Sequence, residues 1–340
     1  MKRALLLIPA LLTGLAAAPS GAASPSQDLA VARTFAPPGS LDDGHLAIAS
    51  ALTRLDAQGE IASDDPLPGQ RYPWRIPRSS ADRPDERSGR LLHFVYLVPA
   101  GAPDDQFDEK GILEDSARSM NAWMRQQTPK QWRLDTFTFE WDDPETIEED
   151  PISINAVDFT FIRSTKSDDQ LDSVSEVEAE LIALGFNQSN KRYLSYVAAN
   201  AGGVCGDAWW TLSPQAGAFD GKYSDVYLYS SSGCRARDFA PNATQPFFTE
   251  TIAMQEMIHN DGAVPMSAPH NCLVSLLAYG HVCTGPLNVT PNLDPESTDV
   301  MFPYVGLPLN QKFLDQDRLD YYGHPFPTRD LEQGLYLENA

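Results

Sequence analysis

Four cysteines are the feature that most constrains how this chain folds. Cys205, Cys234, Cys272 and Cys283 all lie in the second half of the 340-residue sequence. An even number of cysteines predicts two disulfides in a chain that reaches an oxidising compartment. Four cysteines allow three pairings, and their order along the chain favours Cys205 with Cys234 and Cys272 with Cys283. Since no Cys-x-x-Cys pair is present, disulfides are favoured over a cysteine metal site.

The N-terminus has the pattern of an export signal. Two basic residues, Lys2 and Arg3, precede an apolar run over residues 4–18 and then a small-residue stretch. This order is typical of a signal peptide, which we place at residues 1–23. The apolar run is shorter than the roughly 20 residues that a membrane-spanning helix needs. We therefore expect a secreted protein, extracellular or periplasmic, with no membrane span after signal removal.

The charge balance excludes one class of partner. The chain has 47 acidic and 25 basic residues, a formal net charge of −22. A surface with this excess of negative charge repels phosphate backbones, so we expect no nucleic-acid partner. Such a surface favours solubility and predicts no particular ligand. The sequence does not predict the oligomeric state.

Two regions follow the signal peptide. Residues 24–89 have few long apolar patterns and contain stretches rich in Pro, Asp and Gly, which predicts a leader or linker, with a removable pro-segment as one alternative. Residues 90–340 are long enough to bury a substantial core, and we predict one domain there.

Hydrophobic periodicity predicts a mixed α/β (α+β) fold with a mixed, twisted sheet. The expected strands are Leu91–Val98, Trp132–Trp141, Ala156–Ile162, Tyr193–Ala198 and Val226–Ser230, and His93 in the first of them is expected to be a core residue. The expected helices are Ile112–Gln127 and one from Leu171 to Gly185. The acidic stretch Asp142–Asp150 is expected to be a solvated loop.

A further helix carries the residues with the clearest chemical pattern. Gln255 and His259 are four positions apart and so share one helical face, while Glu256 lies one step around the rim. We expect Thr249 to cap this helix and Gly262 to end it. With His at the first position the segment would read His-Glu-x-x-His. In that motif two imidazoles bind Zn²⁺ and the Glu acts as general base on the metal-bound water.

The sequence around this frame resembles a secreted bacterial metallopeptidase family of the zincin type. Downstream of the helix, Ala268-Pro269-His270, Gly280-His281-Val282 and Asp299-Val300-Met301 follow in the order that such proteins show, and the resemblance covers about residues 250–305. It implies a zincin-like domain with an active-site helix and an irregular C-terminal lobe. It also implies a Met-turn at Met301 beneath the metal, and a peptide or protein substrate.

Two departures from the family pattern affect the expected metal site. Gln255 occupies the first ligand position, and a neutral amide is a poor Zn²⁺ ligand compared with imidazole. The extended metzincin pattern would place a third ligand at Pro265, which cannot bind metal. We therefore predict a Zn²⁺ site of three histidines, His259, His270 and His281, with Glu256 nearby as the catalytic base.

Two functions follow as hypotheses. The first is a secreted zinc metalloendopeptidase whose activity Gln255 reduces. The second is a catalytically inactive homologue, a pseudoenzyme, that acts as an extracellular binding protein. For a lone histidine, or for Met301 taken by itself, ordinary core packing is the alternative interpretation.

Overall fold

The computed structural model describes residues 29–35, 69–142, 151–211, 221–265, 267–272, 280–283, 298–315, 318–324 and 330–340. Most of the predicted acidic loop, at residues 143–150, lies outside the described residues, as does the predicted signal peptide.

The described residues form ten strands and three α-helices. The strands are β1 (Leu29–Phe35), β2 (Leu91–Val98), β3 (Lys130–Trp132), β4 (Thr136–Trp141), β5 (Ile152–Val157), β6 (Phe159–Arg163), β7 (Lys191–Val197), β8 (Val204–Thr211), β9 (Tyr223–Tyr227) and β10 (Leu337–Asn339). The helices are α1 (Ile112–Gln127), α2 (Val174–Ala183) and α3 (Phe248–Asn260).

A six-stranded mixed sheet organises the molecule. Its order is β1-β8-β9-β7-β2-β6. The four strands from β9 to β6 are parallel, while β8 runs antiparallel to both β9 and β1. Two short antiparallel pairs, β3 with β10 and β4 with β5, lie outside it. The predicted mixed α/β fold with a mixed sheet is confirmed.

Helices cover both faces of the sheet, which explains why its central strands are buried along their whole length. One face packs against α1 and α3 through residues such as Met120, Ile252 and Tyr196. The other packs against α2 through Val177 and Tyr227. Because both faces are buried, the central strands do not show the alternation of polar and apolar residues that is typical of a half-exposed strand.

Two of the expected elements have the predicted bounds, and two are each divided in the structure. The strand Leu91–Val98 and the helix Ile112–Gln127 are confirmed. The predicted strand Trp132–Trp141 is two strands that meet near Asp135, and the predicted strand Ala156–Ile162 is divided at Asp158. Both aspartates are buried and form ion pairs, Asp135 with Lys191 and Asp158 with Arg83. Each break thus coincides with a buried carboxylate that forms an ion pair.

The segment before the predicted domain is tied to it by arginines. Arg78 forms ion pairs with Asp104 and Asp108, at 2.7 and 2.6 Å. Arg71 contacts Asp115 at 2.9 Å. Residues 69–90 therefore pack on the domain, and β1 joins its sheet. The boundary at residue 90 and the removal of residues 24–89 stay predictions.

Both predicted disulfides are confirmed. The Cα atoms of Cys205 and Cys234 are 5.2 Å apart, and those of Cys272 and Cys283 are 5.1 Å apart, within the range of disulfides. Two disulfides are typical of a protein that reaches an oxidising compartment. In the part of the chain that the structure describes, no helix has the length and apolar character needed to span a membrane.

Candidate metal-binding centre

Helix α3 carries the candidate residues and is buried over its whole length. Thr249 lies inside its first turn, where its hydroxyl donates to the Ala236 carbonyl at 3.0 Å, so the prediction that it caps the helix is wrong. The start is held instead by Glu250, whose carboxylate accepts from the Phe247 backbone N–H at 2.7 Å. The predicted end is confirmed: Gly262, at φ +75°, donates its N–H to the His259 carbonyl at 2.8 Å.

Glu256 lies where α3 packs against β8. A Cβ atom built at Gly206 would be 2.9 Å from Glu256 Cγ and 2.7 Å from Ile252 Cγ2. Helix and strand thus touch without an intervening side chain. The glycine lets the helix approach closely enough to hold Glu256, which is fully buried, against the sheet.

The structure brings two of the predicted ligands together. The Nε2 atoms of His259 and His281 are 3.2 Å apart, and their rings meet edge to face with centroids 4.6 Å apart. Both side chains are fully buried. Two nitrogens bound to one tetrahedral Zn²⁺ at about 2.0–2.1 Å are about 3.3–3.4 Å apart, so the observed spacing fits a shared ion. A hydrogen bond between two neutral imidazoles has the same spacing.

The protonation state of His259 suits a metal ligand. Burial, reinforced by the neighbouring His281, holds the pKa of His259 well below its ordinary value. The ring is therefore neutral near pH 7, which is the form that binds metal. Its Nδ1 has no hydrogen-bond partner among the described residues, so the polar contact that the structure gives this ring is the one through Nε2.

A disulfide and a glycine position His281. The backbone N–H of Cys272 donates to the His281 carbonyl at 3.0 Å, on the loop that the Cys272–Cys283 bridge closes. Gly280 has a φ of +85°, and a Cβ there would lie 3.2 Å from His259 Cε1 and 3.0 Å from Trp210 Cε2. The backbone before His281 thus packs directly on the His259 ring.

His270 is held differently from the other two histidines. Its Nδ1 lies 2.9 Å from the buried Asp320 carboxylate, and its side chain is 32% exposed. Within the described ranges, one cluster has three or more His, Cys, Asp or Glu residues whose ligand atoms all lie within 4.8 Å of one another. That cluster does not contain these histidines. His270 is therefore not that close to both His259 and His281. The three-histidine centre stays a prediction, with two of its imidazoles in contact.

Gln255 and Met301 connect the helix to the segment after the disulfide loop. The Gln255 amide donates to the Phe302 carbonyl at 2.8 Å. Met301 is fully buried, and its carbonyl accepts from the Val282 N–H at 2.9 Å. The residue at the first ligand position thus forms a structural contact beside the predicted Met-turn. Support of a metal by Met301 stays a prediction.

A second cluster of titratable groups was not foreseen from the sequence. It comprises Asp82, His93, Asp135 and Asp158, which come from separate segments. His93 is fully buried as predicted, but its Nδ1 contacts Asp135 at 2.9 Å. The Lys191 ammonium lies 2.6 Å from Asp135 and 2.5 Å from Asp82. Because this buried cation already compensates the carboxylates, we interpret the cluster as a structural ion-pair network.

One cleft of the molecule lies away from the histidine pair. Within the described residues it has a volume of about 570 Å³, and its lining includes Arg87, Arg118 and Arg125 but neither His259 nor His281. These arginines are engaged with neighbours, among them Glu338 and Glu114. We place the candidate chemistry at the histidines, because convergent ligand atoms bear more directly on metal binding than cavity size.

Comparisons with known proteins leave the family open. No protein-family model, no curated protein and no solved structure matches this chain. The resemblance to zincins therefore rests on the residues between about 250 and 305.

Proposed function

We propose that this protein is an exported zinc-dependent hydrolase of peptide bonds, with the metal held by Nε2 of His259 and Nε2 of His281. The observation that carries the proposal is the 3.2 Å spacing of these two buried nitrogens at the end of the helix that carries Glu256. The export signal and the two disulfides support an extracellular or periplasmic location.

The roles of the surrounding residues follow from their chemistry. A bound zinc ion would supply Lewis acidity and lower the pKa of its water. Glu256, one residue from the ligand face of α3, would act as the general base at such a centre and accept a proton. Asp320 orients His270 through Nδ1, the carboxylate–histidine arrangement that is usual behind a metal ligand, and we propose His270 as the third ligand. Gln255 holds α3 to the Phe302 carbonyl.

A second candidate function is supported by the same helix. The Gln255 amide is bonded to the backbone, and both imidazoles are fully buried, so His259 and His281 also fit a hydrogen-bonded core pair. In that case the protein is a non-catalytic binding protein. The two candidates differ in their metal content.

The first experiment measures zinc in the mature protein by mass spectrometry after dialysis. We expect about one zinc ion per chain, lost in His259→Gln and in His281→Gln. His270→Gln tests the third ligand, and His324→Gln serves as the control, since it removes a buried histidine from another segment. Zinc that is absent from the wild type, or that persists in both pair variants, would exclude the proposed centre.

The second experiment measures hydrolysis of casein and of quenched fluorescent peptides. Glu256→Gln should abolish cleavage while zinc stays bound, because the base is lost and the ligands remain. Gln255→His should raise zinc affinity and turnover if the chain is an enzyme weakened at its first ligand position. Cleavage that does not depend on Glu256 would refute the hydrolase, and absence of activity in both wild type and Gln255→His would favour the binding protein.

A further inference from the structure

Strand β1 fills the outer edge of β8. The two strands pair antiparallel over residues 29–35, from Leu29 opposite Thr211 to Phe35 opposite Val204, with an irregularity after Thr34. An edge strand without such a partner presents a row of unpaired backbone N–H and C=O groups, which is a template for another strand. The edge of β8 is therefore a place where an extended segment binds, and the chain's own residues occupy it.

This edge runs beside the candidate centre. Gly206 packs against Glu256 on α3, and Trp210 lies against the Gly280 backbone that also contacts His259. In the register of the pair, Thr34 stands opposite Gly206 and Ala30 stands opposite Trp210. A segment paired with β8 thus passes along the strand that packs on this centre.

Buried acids lie on the other face of the same strands. Asp207 and Asp225 are direct partners across β8 and β9, and both are fully buried. Asp207 accepts hydrogen bonds from the Val174 N–H at 2.9 Å and the Tyr227 hydroxyl at 2.8 Å. Burial and the adjacent Asp207 raise the pKa of Asp225 well above its ordinary value. Two acids side by side in the core favour a cation in the neighbouring position.

Register places a basic residue in that position. Arg33 stands directly opposite Asp207, and it is the only charged residue in the segment Leu29–Phe35. Directly opposite residues of an antiparallel pair belong to the same face of the sheet, and a shift of one residue moves a side chain to the other face. The one charged residue of the segment and a buried acid of the sheet are thus opposite in sign and directly paired in register.

We propose that the outer edge of β8 is a binding site for an extended peptide strand with a basic residue opposite Asp207, and that residues 29–35 are its resident occupant. Detachment of β1 opens the edge to another peptide of the same pattern. The main-chain pairing supplies affinity and the position of the basic residue supplies specificity. This binding does not depend on a metal at His259 and His281.

The first test uses the full mature chain and amide hydrogen exchange. Arg33→Gln removes the charge, whereas the double change Ala32→Arg with Arg33→Ala keeps the composition and moves the charge to the other face. Both should speed exchange in residues 29–35 and 204–211 by about tenfold or more, since local opening becomes easier. Arg33→Lys is the matched control and should retain the wild-type protection. Protection that is unchanged in the first two variants would overturn the proposal.

The second test adds a labelled peptide in trans to the Arg33→Gln chain and follows fluorescence anisotropy. The peptide has the sequence of residues 27–37, Gln-Asp-Leu-Ala-Val-Ala-Arg-Thr-Phe-Ala-Pro. We expect saturable binding, weakened about tenfold or more when the peptide's Ala-Arg order is reversed, because the charge then belongs to the wrong face. The protein is identical in both arms, so misfolding cannot produce the difference. Equal binding of the two peptides, or no binding of either, would refute the site.

Discussion

Replacement of Gly206 by alanine tests the contact that holds Glu256 in place. The added Cβ would lie 2.7 Å from the Asp225 backbone oxygen, 2.7 Å from Ile252 Cγ2 and 2.9 Å from Glu256 Cγ. Carbon atoms pack best at about 3.5–4.0 Å, so the contact with Ile252 is about 0.8 Å or more too short. The Asp225 oxygen belongs to the β9 backbone within the sheet and has little freedom to move.

The expected loss of stability follows from these overlaps. Extra atoms in a well-packed core cost about 1–3 kcal/mol, and a clash with backbone is at the upper end or above it. We expect the free energy of unfolding of Gly206→Ala to fall by about 3 kcal/mol, which corresponds to a decrease in Tm of about 6–12 °C for a domain of this size class. Relief of the clash requires α3 to move outward, so Glu256 shifts and any Glu256-dependent cleavage falls as well.

Urea denaturation followed by tryptophan fluorescence measures the stability change. The control is Gly202→Ala, where φ is +65° but a Cβ would meet nothing within 4 Å. That change carries only the left-handed backbone cost of about 1–2 kcal/mol. A loss in Gly206→Ala no larger than the loss in Gly202→Ala would refute the close packing of α3 on β8.

Three further predictions address charge and crosslinking. Asp225 has a raised pKa in the folded state, so its contribution to stability is present below the ordinary Asp value and is lost as pH rises through the folded value. In urea titrations, Asp225→Asn should therefore be more stable than the wild type at pH 8 and similar to it near pH 3. A variant less stable than the wild type at pH 8 would contradict the burial of this acid. Lys191→Met should lower the free energy of unfolding by about 3–5 kcal/mol, because it leaves buried carboxylates without their cation. Asp135→Asn in that background should recover part of the loss. Additive effects in this double-mutant cycle would argue against the network. Replacement of Cys272 and Cys283 by alanine removes a bridge between residues 11 positions apart and should lower the free energy of unfolding by about 3 kcal/mol in thermal or urea unfolding. Retention of full stability would show that the bridge does not constrain the loop that carries His281.

Local patterns in the sequence were sufficient for some elements. The apolar run Leu91–Val98 and the helical spacing in Ile112–Gln127 predicted their elements with the observed bounds, because each pattern reflects the burial of one element. Strand β8 was missed. It includes Gly206, the buried Asp207 and two consecutive tryptophans, and so lacks both a clear alternation and a pure apolar run. Strand β1 was missed as well, since its pairing with β8 joins segments far apart in sequence.

The sequence by itself determined which residues of this protein have ligand chemistry, and it favoured the pairing of the cysteines in sequence order. Only the tertiary structure decided that His259 meets His281, that His270 binds Asp320, and that Gln255 is used as a backbone contact. The physical reason is that the periodicity of the sequence shows only on which side of its helix or strand a residue lies. The distance between residues on different elements is set instead by packing, here by the close approach of α3 to Gly206 and of Gly280 to His259.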